Sequence, residues 1–180
     1  MKSIQLLPIG FAILILLSLS GCEKNPLTTK FEVRHKAFYT IPANALLNLP
    51  LTFDGVEESS NAEAQYTLND TRKDLLEEVY VKQFFVEIES PANEDFDFLN
   101  SAHFYINAED QPEREVAFKD PVPENVSTDL EFDVKNENLA AYLKADAFSV
   151  RIAAVTDEQR SQDIRIAATA VFDVRARILD

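Results

Sequence analysis

The sequence lacks several residue types, and each absence excludes a class of function. Cys22 is the only cysteine among 180 residues, so the chain forms no internal disulfide and offers no other thiol as nucleophile or zinc ligand. Glycine is limited to Gly10, Gly21 and Gly55. The segment after Cys22 therefore cannot form a P-loop, a dinucleotide-binding GxGxxG turn or a GxSxG nucleophile elbow, and the enzymes built on these motifs are excluded.

Positive charge is also scarce. Lysine and arginine number 17 against 31 aspartates and glutamates, which gives a formal net charge of -14 at pH 7. No segment concentrates basic residues, whereas nucleic acids and anionic lipid surfaces are bound through clusters of Lys and Arg. The sequence therefore predicts no nucleic-acid partner and no electrostatic binding to lipid headgroups. We interpret the acidic balance as a solvated surface.

Residues 1–21 have the organisation of a signal peptide. Lys2 supplies a positive charge, and an apolar run at Phe11–Leu17 follows interruptions at Pro8 and Gly10. A membrane-spanning helix needs about 20 predominantly apolar residues, and this stretch is shorter and has no basic stop-transfer cluster behind it. The pattern therefore favours a cleaved signal over a permanent span.

Leu19-Ser20-Gly21-Cys22 resembles the lipobox of bacterial lipoproteins. The resemblance implies cleavage between Gly21 and Cys22 and a lipid on the Cys22 sulfur, with palmitate as a typical acyl chain. Each buried methylene contributes roughly 0.8 kcal/mol, so two or three chains hold a protein durably on a membrane. Glu23 stands where aspartate signals inner-membrane retention in enteric bacteria, and outer-membrane localisation is expected. The alternative is a soluble secreted protein with Cys22 near an ordinary cleavage site.

Residues 22–30 predict a polar tether, and residues 31–180 predict a single domain. Apolar and polar residues alternate in short segments separated by turn-forming residues, which is typical of antiparallel strands. The predicted fold class is all-β: an antiparallel, immunoglobulin-like β-sandwich of about seven or eight strands with one or two short connecting helices. Strands are expected at Phe31–Ile41, Leu46–Phe53, Val79–Glu89, Ala102–Ala108, Glu115–Lys119, Asp129–Val134, Phe148–Ala154 and Ile164–Ile178.

Four connecting segments carry more specific expectations. Thr71–Asp74 has the spacing of a capping box, which predicts the start of a short helix. Asn138–Lys144 predicts one or two helical turns. Glu57–Gln65 is polar and acidic and predicts an exposed loop. The apolar residues of Phe96–Leu99 are expected to close one end of the core.

The last two strands show the clearest alternation, and we expect them to pair as a long hairpin. The second is longer than usual, so a bulge or bend is expected along it. Arg165, Arg175 and Arg177 fall on its outer face, where charge discourages edge-to-edge association.

The succession of elements from the strand at Tyr80 through the helical turn at Leu139–Leu143 to the final strands is similar to small uncharacterised lipoproteins of the Bacteroidota. The similarity covers residues 65–180. It implies no activity, cofactor or site residue.

Few residues suggest a metal or catalytic site. His35 and His103 are the only histidines, and each lies in a predicted strand without a patterned partner, so we interpret both as ordinary strand residues. Glu94, Asp95 and Asp97 form an acidic segment that could bind calcium, but phenylalanines alternate with them and the EF-hand pattern is absent. A solvated loop is the simpler interpretation.

Other polar residues give weaker signals. Asn107, Glu109 and Asp110 form an oxygen-rich turn, again interpreted as solvated. The Asn125-Val126-Ser127 sequon has little meaning in a bacterial lipoprotein. With no tryptophan, sugar stacking would require at least two tyrosines on one face, chosen from Tyr39, Tyr66, Tyr80, Tyr105 and Tyr142.

The sequence favours a membrane-anchored, non-enzymatic lipoprotein that binds another envelope protein or an extracellular ligand. No catalytic residue, metal ligand or cofactor is assigned; the site residues are Gly21 and Cys22, at the cleavage and lipidation site. One alternative is a glycan or peptide hydrolase that uses carboxylates such as Glu87, Asp95 or Asp97. Another is a glycan-binding accessory lipoprotein.

Overall fold

The computed structural model describes residues 27–54, 57–124 and 126–179. The predicted signal peptide, the cleavage and lipidation site at Gly21 and Cys22, most of the tether, and Gly55 and Asn125 lie outside the described residues.

The described chain consists of nine strands and three short helical elements. The elements are β1 (Thr28–Ile41), β2 (Pro50–Asp54), β3 (Glu57–Ser60), α1 (Ala62–Leu68), a 3₁₀ turn (Lys73–Leu75), β4 (Leu76–Ser90), β5 (Leu99–Ala108), β6 (Arg114–Lys119), β7 (Asp129–Val134), α2 (Ala140–Lys144), β8 (Phe148–Thr156) and β9 (Ile164–Arg177). All ladders between these strands are antiparallel. The all-β class with few, short helices is confirmed.

The strands form two layers that face each other. Layer one has the order β3-β1-β9-β4-β7, layer two has the order β2-β8-β5-β6, and a two-residue ladder between β6 and β7 joins them into one curled sheet. The ring of Phe84 in layer one lies 4.4 Å from that of Phe104 in layer two. The Tyr39 hydroxyl donates a hydrogen bond of 2.9 Å to the Val150 carbonyl across the same interior. The core therefore lies between the layers, as in a sandwich.

Alternation along each strand decides which side chains enter this core. In β1 the residues Val33, Ala37 and Tyr39 are buried, whereas their sequence neighbours point outward. In β5 the predicted inward residues Phe104 and Ile106 are fully buried. Phe96, Phe98 and Leu99, expected to close one end of the core, are buried and belong to it. β1 begins at Thr28, three residues before the predicted strand, and its first residues already pair with β9.

The predicted hairpin of the last two strands is wrong. β8 pairs with β2 and β5, whereas β9 pairs with β1 and β4, so within the described chain the two strands belong to opposite layers. Each strand has one apolar face, and a sandwich can bury that face from either layer. Alternation therefore fixed the inner face of each strand but not its partner.

Two further expectations for the last strand are corrected. The register between β1 and β9 is continuous over all 14 residues of β1, and the irregularities lie in β4, which has one extra residue at three places. β9 is a central strand, so Arg165, Arg175 and Arg177 do not protect a sheet edge. Ala167 and Val171 on its outer face are buried.

The predicted loop and capping box are also corrected. Residues 57–65 form β3 and the first part of α1, which Tyr66 anchors in the core. Thr71 precedes only a 3₁₀ turn that has no side-chain cap. Its hydroxyl instead donates a 2.6 Å hydrogen bond to the Arg177 carbonyl, because Thr71 is buried beside the end of β9. In the part of the chain that is described, no helix is long and apolar enough to cross a membrane.

Candidate functional site

The two layers leave an opening on one side, between β1 and the start of β8. The helix α1 and the segment after α2 lie over this opening, and a cavity of about 380 Å³ remains between them. We call it the seam cleft. Its lining residues come from β1, β3, α1, the 3₁₀ turn, α2, β8 and β9, so no single stretch of sequence contains it.

The floor of the seam cleft is mainly apolar and aromatic. Val33 and Phe172 come from layer one, and Phe148 comes from layer two. The buried His35 ring lies 5.0 Å from the Phe148 ring, with the planes tilted by 51°. Tyr66 is buried at the α1 side, where burial, assisted by the charge of Glu63, raises the pKa of its hydroxyl above 10.0. The phenol therefore stays protonated at neutral pH.

Charged residues surround the entrance. Glu63 and Asp146 are exposed, Lys73 is half-buried, and all three line the cleft. A second void behind the floor shares His35 and Phe172 but measures only about 10 Å³, too little for a ligand. A ligand in the seam cleft would therefore reach no deeper than His35.

His103 lies far from His35 in the fold, on the outer face of layer two. Its Nδ1 is 2.6 Å from a Glu115 carboxylate oxygen, and the Lys135 ammonium is 3.1 Å from the other oxygen. Burial opposes ionisation of Glu115, but these two hydrogen bonds outweigh it, and the pKa of the carboxyl falls below 4.5. The His103 ring lies between those of Tyr105 and Phe118, at 6.4 and 6.3 Å. The two histidines share no site.

The acidic segment after β4 is bound to an arginine of the same chain. The Arg160 guanidinium lies 3.6 Å from Glu94, 3.3 Å from Asp95 and 3.3 Å from Glu158. The guanidinium takes the position that a cation at these carboxylates would need. Among the described residues, no three His, Cys, Asp or Glu side chains are grouped so that they could hold a metal ion.

The remaining candidate catalytic and sugar-binding residues do not lie together in one site. Glu87 lies on the outer face of β4, 4.0 Å from the Lys36 ammonium, whereas Asp95 lies at Arg160 in the following loop. Three tyrosines are buried: Tyr39, Tyr66 and Tyr142. The half-buried Tyr80 and Tyr105 belong to different layers, so no two tyrosines of the described chain form an exposed platform. Asn107, Glu109 and Asp110 are all exposed at the end of β5.

Sequence reasoning missed the seam cleft. The alternation pattern predicts that Val33, Phe148 and Phe172 are core residues, and the side chains do lie on the inner faces of their strands. Their grouping depends on which strands stand at the open side, and the alternation pattern contains no signal for that. The placement of His35 on the inward face of β1 was the one available indication.

Comparison with known proteins adds no family. No protein-family model matches the chain, and no curated protein matches it. Among solved structures, a chain of Desmodium yellow mottle tymovirus is similar over 100% of this chain and 97% of its own length, at 10% sequence identity and a TM-score of 0.27. Similarity at this level has no bearing on function.

Proposed function

We propose that this chain is a lipid-anchored, non-enzymatic binding protein of the bacterial cell envelope, held on the outer membrane through Cys22. The resemblance of residues 19–22 to a lipobox supports the anchor, and Glu23 supports the outer membrane. The observation that carries the binding role is the seam cleft, whose volume lies within the range typical of ligand sites.

The composition of the cleft favours binding over catalysis. A hydrolase of the carboxylate type needs an acid and a base that face the same substrate. The candidate acids Glu87 and Asp95 lie outside the cleft, each next to a cation. The two acids that line the cleft, Glu63 and Asp146, are both exposed at its entrance. The floor instead offers phenylalanine, valine and a protonated Tyr66, which suit a guest with an apolar surface.

The entrance of the cleft favours a positively charged ligand. Glu63 and Asp146 outnumber Lys73 there, and the net charge of -14 attracts cations from a distance. The ligand we assign to the cleft is therefore a basic segment of an envelope protein that inserts one apolar side chain between the layers.

The binding proposal is tested with the lipidated full chain in phosphatidylcholine nanodiscs. The probe is a fluorescein-labelled peptide of one phenylalanine flanked by lysines, and its binding is read by anisotropy. Replacing the phenylalanine with alanine is expected to weaken binding by about tenfold or more, because burying such a side chain contributes about 1.5–3 kcal/mol. A peptide with glutamates in place of the lysines is expected not to bind.

Matched variants identify the cleft as the site. Ala147 and Ala141 are both exposed, but only Ala147 lines the cleft. Ala147→Trp fills the entrance and should abolish binding, whereas Ala141→Trp on α2 should bind as the unmodified chain does. Equal binding by both variants, or by the phenylalanine and alanine peptides, would contradict the proposal.

The anchor is tested separately. Intact mass of the membrane-purified chain should show the lipid on Cys22, and Cys22→Ser should move the protein to the soluble fraction. Digestion by protease on intact cells would place the domain on the outer surface, whereas protection until permeabilisation would place it in the periplasm.

A further inference from the structure

Three strongly exposed leucines lie together at one end of the sandwich. Leu27, Leu68 and Leu179 are 76%, 75% and 44% exposed. The Ile178 amide donates to the Leu27 carbonyl at 2.9 Å, and the Leu179 amide donates to the Asp70 carbonyl at 2.7 Å, just beyond the end of α1. These three residues, the proximal leucines, therefore lie in neighbouring segments at one end of the sandwich, and we treat them as one apolar patch.

This patch lies at the end where the chain leaves for its anchor. Leu27 is five residues after Cys22, so the two are separated by at most about 18 Å of extended chain. A lipidated Cys22 would thus keep the proximal leucines within reach of the bilayer surface. The opposite end of β1 lies about 45 Å away, at about 3.3 Å for each of its 14 residues.

Salt bridges pair some of the charges around the proximal leucines. Arg72 pairs with Asp74 at 2.7 Å, and Arg177 pairs with Glu77 at 3.7 Å. This pairing reduces the repulsion between this end and lipid headgroups, and the exposed Asp70 beside Leu179 adds one further carboxylate there.

We infer that the proximal leucines insert into the bilayer interface and hold the sandwich upright on the membrane. The inference rests on the lipid anchor proposed above and adds a second, apolar contact made by the fold itself. Short apolar side chains at a protein end can enter the region between headgroups and acyl chains, to a depth of about 5–10 Å. Contact at three points fixes an orientation, which a flexible tether alone does not.

Because the chain contains no tryptophan, one introduced tryptophan reports its own surroundings. The test uses Leu68→Trp in the lipidated full chain, reconstituted in phosphatidylcholine vesicles with dibrominated acyl chains. Leu46→Trp is the matched control, because Leu46 is 60% exposed beyond the far end of β1. Bromine should reduce the Leu68→Trp emission at least about twofold, as for a side chain at interfacial depth, and should leave Leu46→Trp unchanged.

A second variant tests the patch as a unit. Adding Leu179→Glu to Leu68→Trp should restore most of the quenched emission, while lipid on Cys22 stays in place. Unquenched Leu68→Trp on a chain whose mass shows the lipid overturns the docking and leaves the anchor intact. Absence of the lipid contradicts both. A blue-shifted but unquenched tryptophan, with a doubled mass in sedimentation, would show that a second copy covers the leucines and would also overturn the bilayer contact.

Discussion

Phe104 is the side chain on which the contact between the layers most depends. It is fully buried at the centre of β5. Its ring lies 4.4 Å from that of Phe84 in β4, 5.2 Å from that of Phe132 in β7, and 6.0 Å from that of Tyr39 in β1. One residue of layer two thus contacts rings from three strands of layer one.

Phe104→Ala should therefore cost about 3–5 kcal/mol of unfolding free energy, through lost transfer energy and the cavity left behind. Domains of this size have about 5–15 kcal/mol in total, and each kcal/mol shifts the midpoint by about 2–4 °C. The melting temperature should fall by roughly 6–20 °C. Far-UV circular dichroism in urea and on heating measures both quantities.

Phe85→Ala is the control for this experiment. Phe85 is the next residue after Phe84 in β4 but faces outward and is half-buried, so its removal should cost less than about 1 kcal/mol. Equal losses for Phe104→Ala and Phe85→Ala, or a loss below about 1 kcal/mol for Phe104→Ala, would refute the face-to-face arrangement of the layers.

Two further predictions concern charged groups. Because the folded pKa of Glu115 lies below its ordinary 4.5, its contribution to stability is present above about pH 4.5 and is lost as the pH falls through the folded value. Glu115→Gln should therefore make the free energy of unfolding, measured by urea titration, less dependent on pH on the acid side. An unchanged pH dependence would contradict the assigned hydrogen bonds. Because Arg160 pairs with Glu94 and Asp95, and no three acidic side chains of the described residues are grouped to hold a metal ion, millimolar calcium should leave the melting temperature unchanged both in the unmodified chain and in Arg160→Met. An upward shift in the unmodified chain would show that the carboxylates bind calcium despite the arginine.

The sequence was sufficient to predict the positions and inner faces of most strands, although β3 was predicted as a loop and β2 begins four residues after the start of the predicted strand. Alternation of period two reports which side chains share a face, and the burial of Phe104 and Ile106 in β5 follows from it directly. It does not report which strand lies alongside. β8 and β9 have equally apolar inner faces, and only the packing of the whole sandwich places them in opposite layers.

The capping box shows why a local motif was insufficient. A threonine three residues before an acid can serve a helix start, but its hydroxyl can serve any nearby carbonyl equally well. In the folded chain the Thr71 hydroxyl donates to the carbonyl of Arg177, which is more than a hundred residues away in sequence. The seam cleft escaped prediction for the same reason, since each of its walls is defined by tertiary contacts.

The pairing of β1 with β9 has a consequence for the order of events during biogenesis. β9 lies between β1 and β4 in layer one and follows both in the sequence, so these two strands cannot be joined until residue 177 has emerged. Such distant pairing slows folding, because a long loop must close before any contact is gained. During the export that we propose, layer one would therefore be completed only after β9 had been delivered.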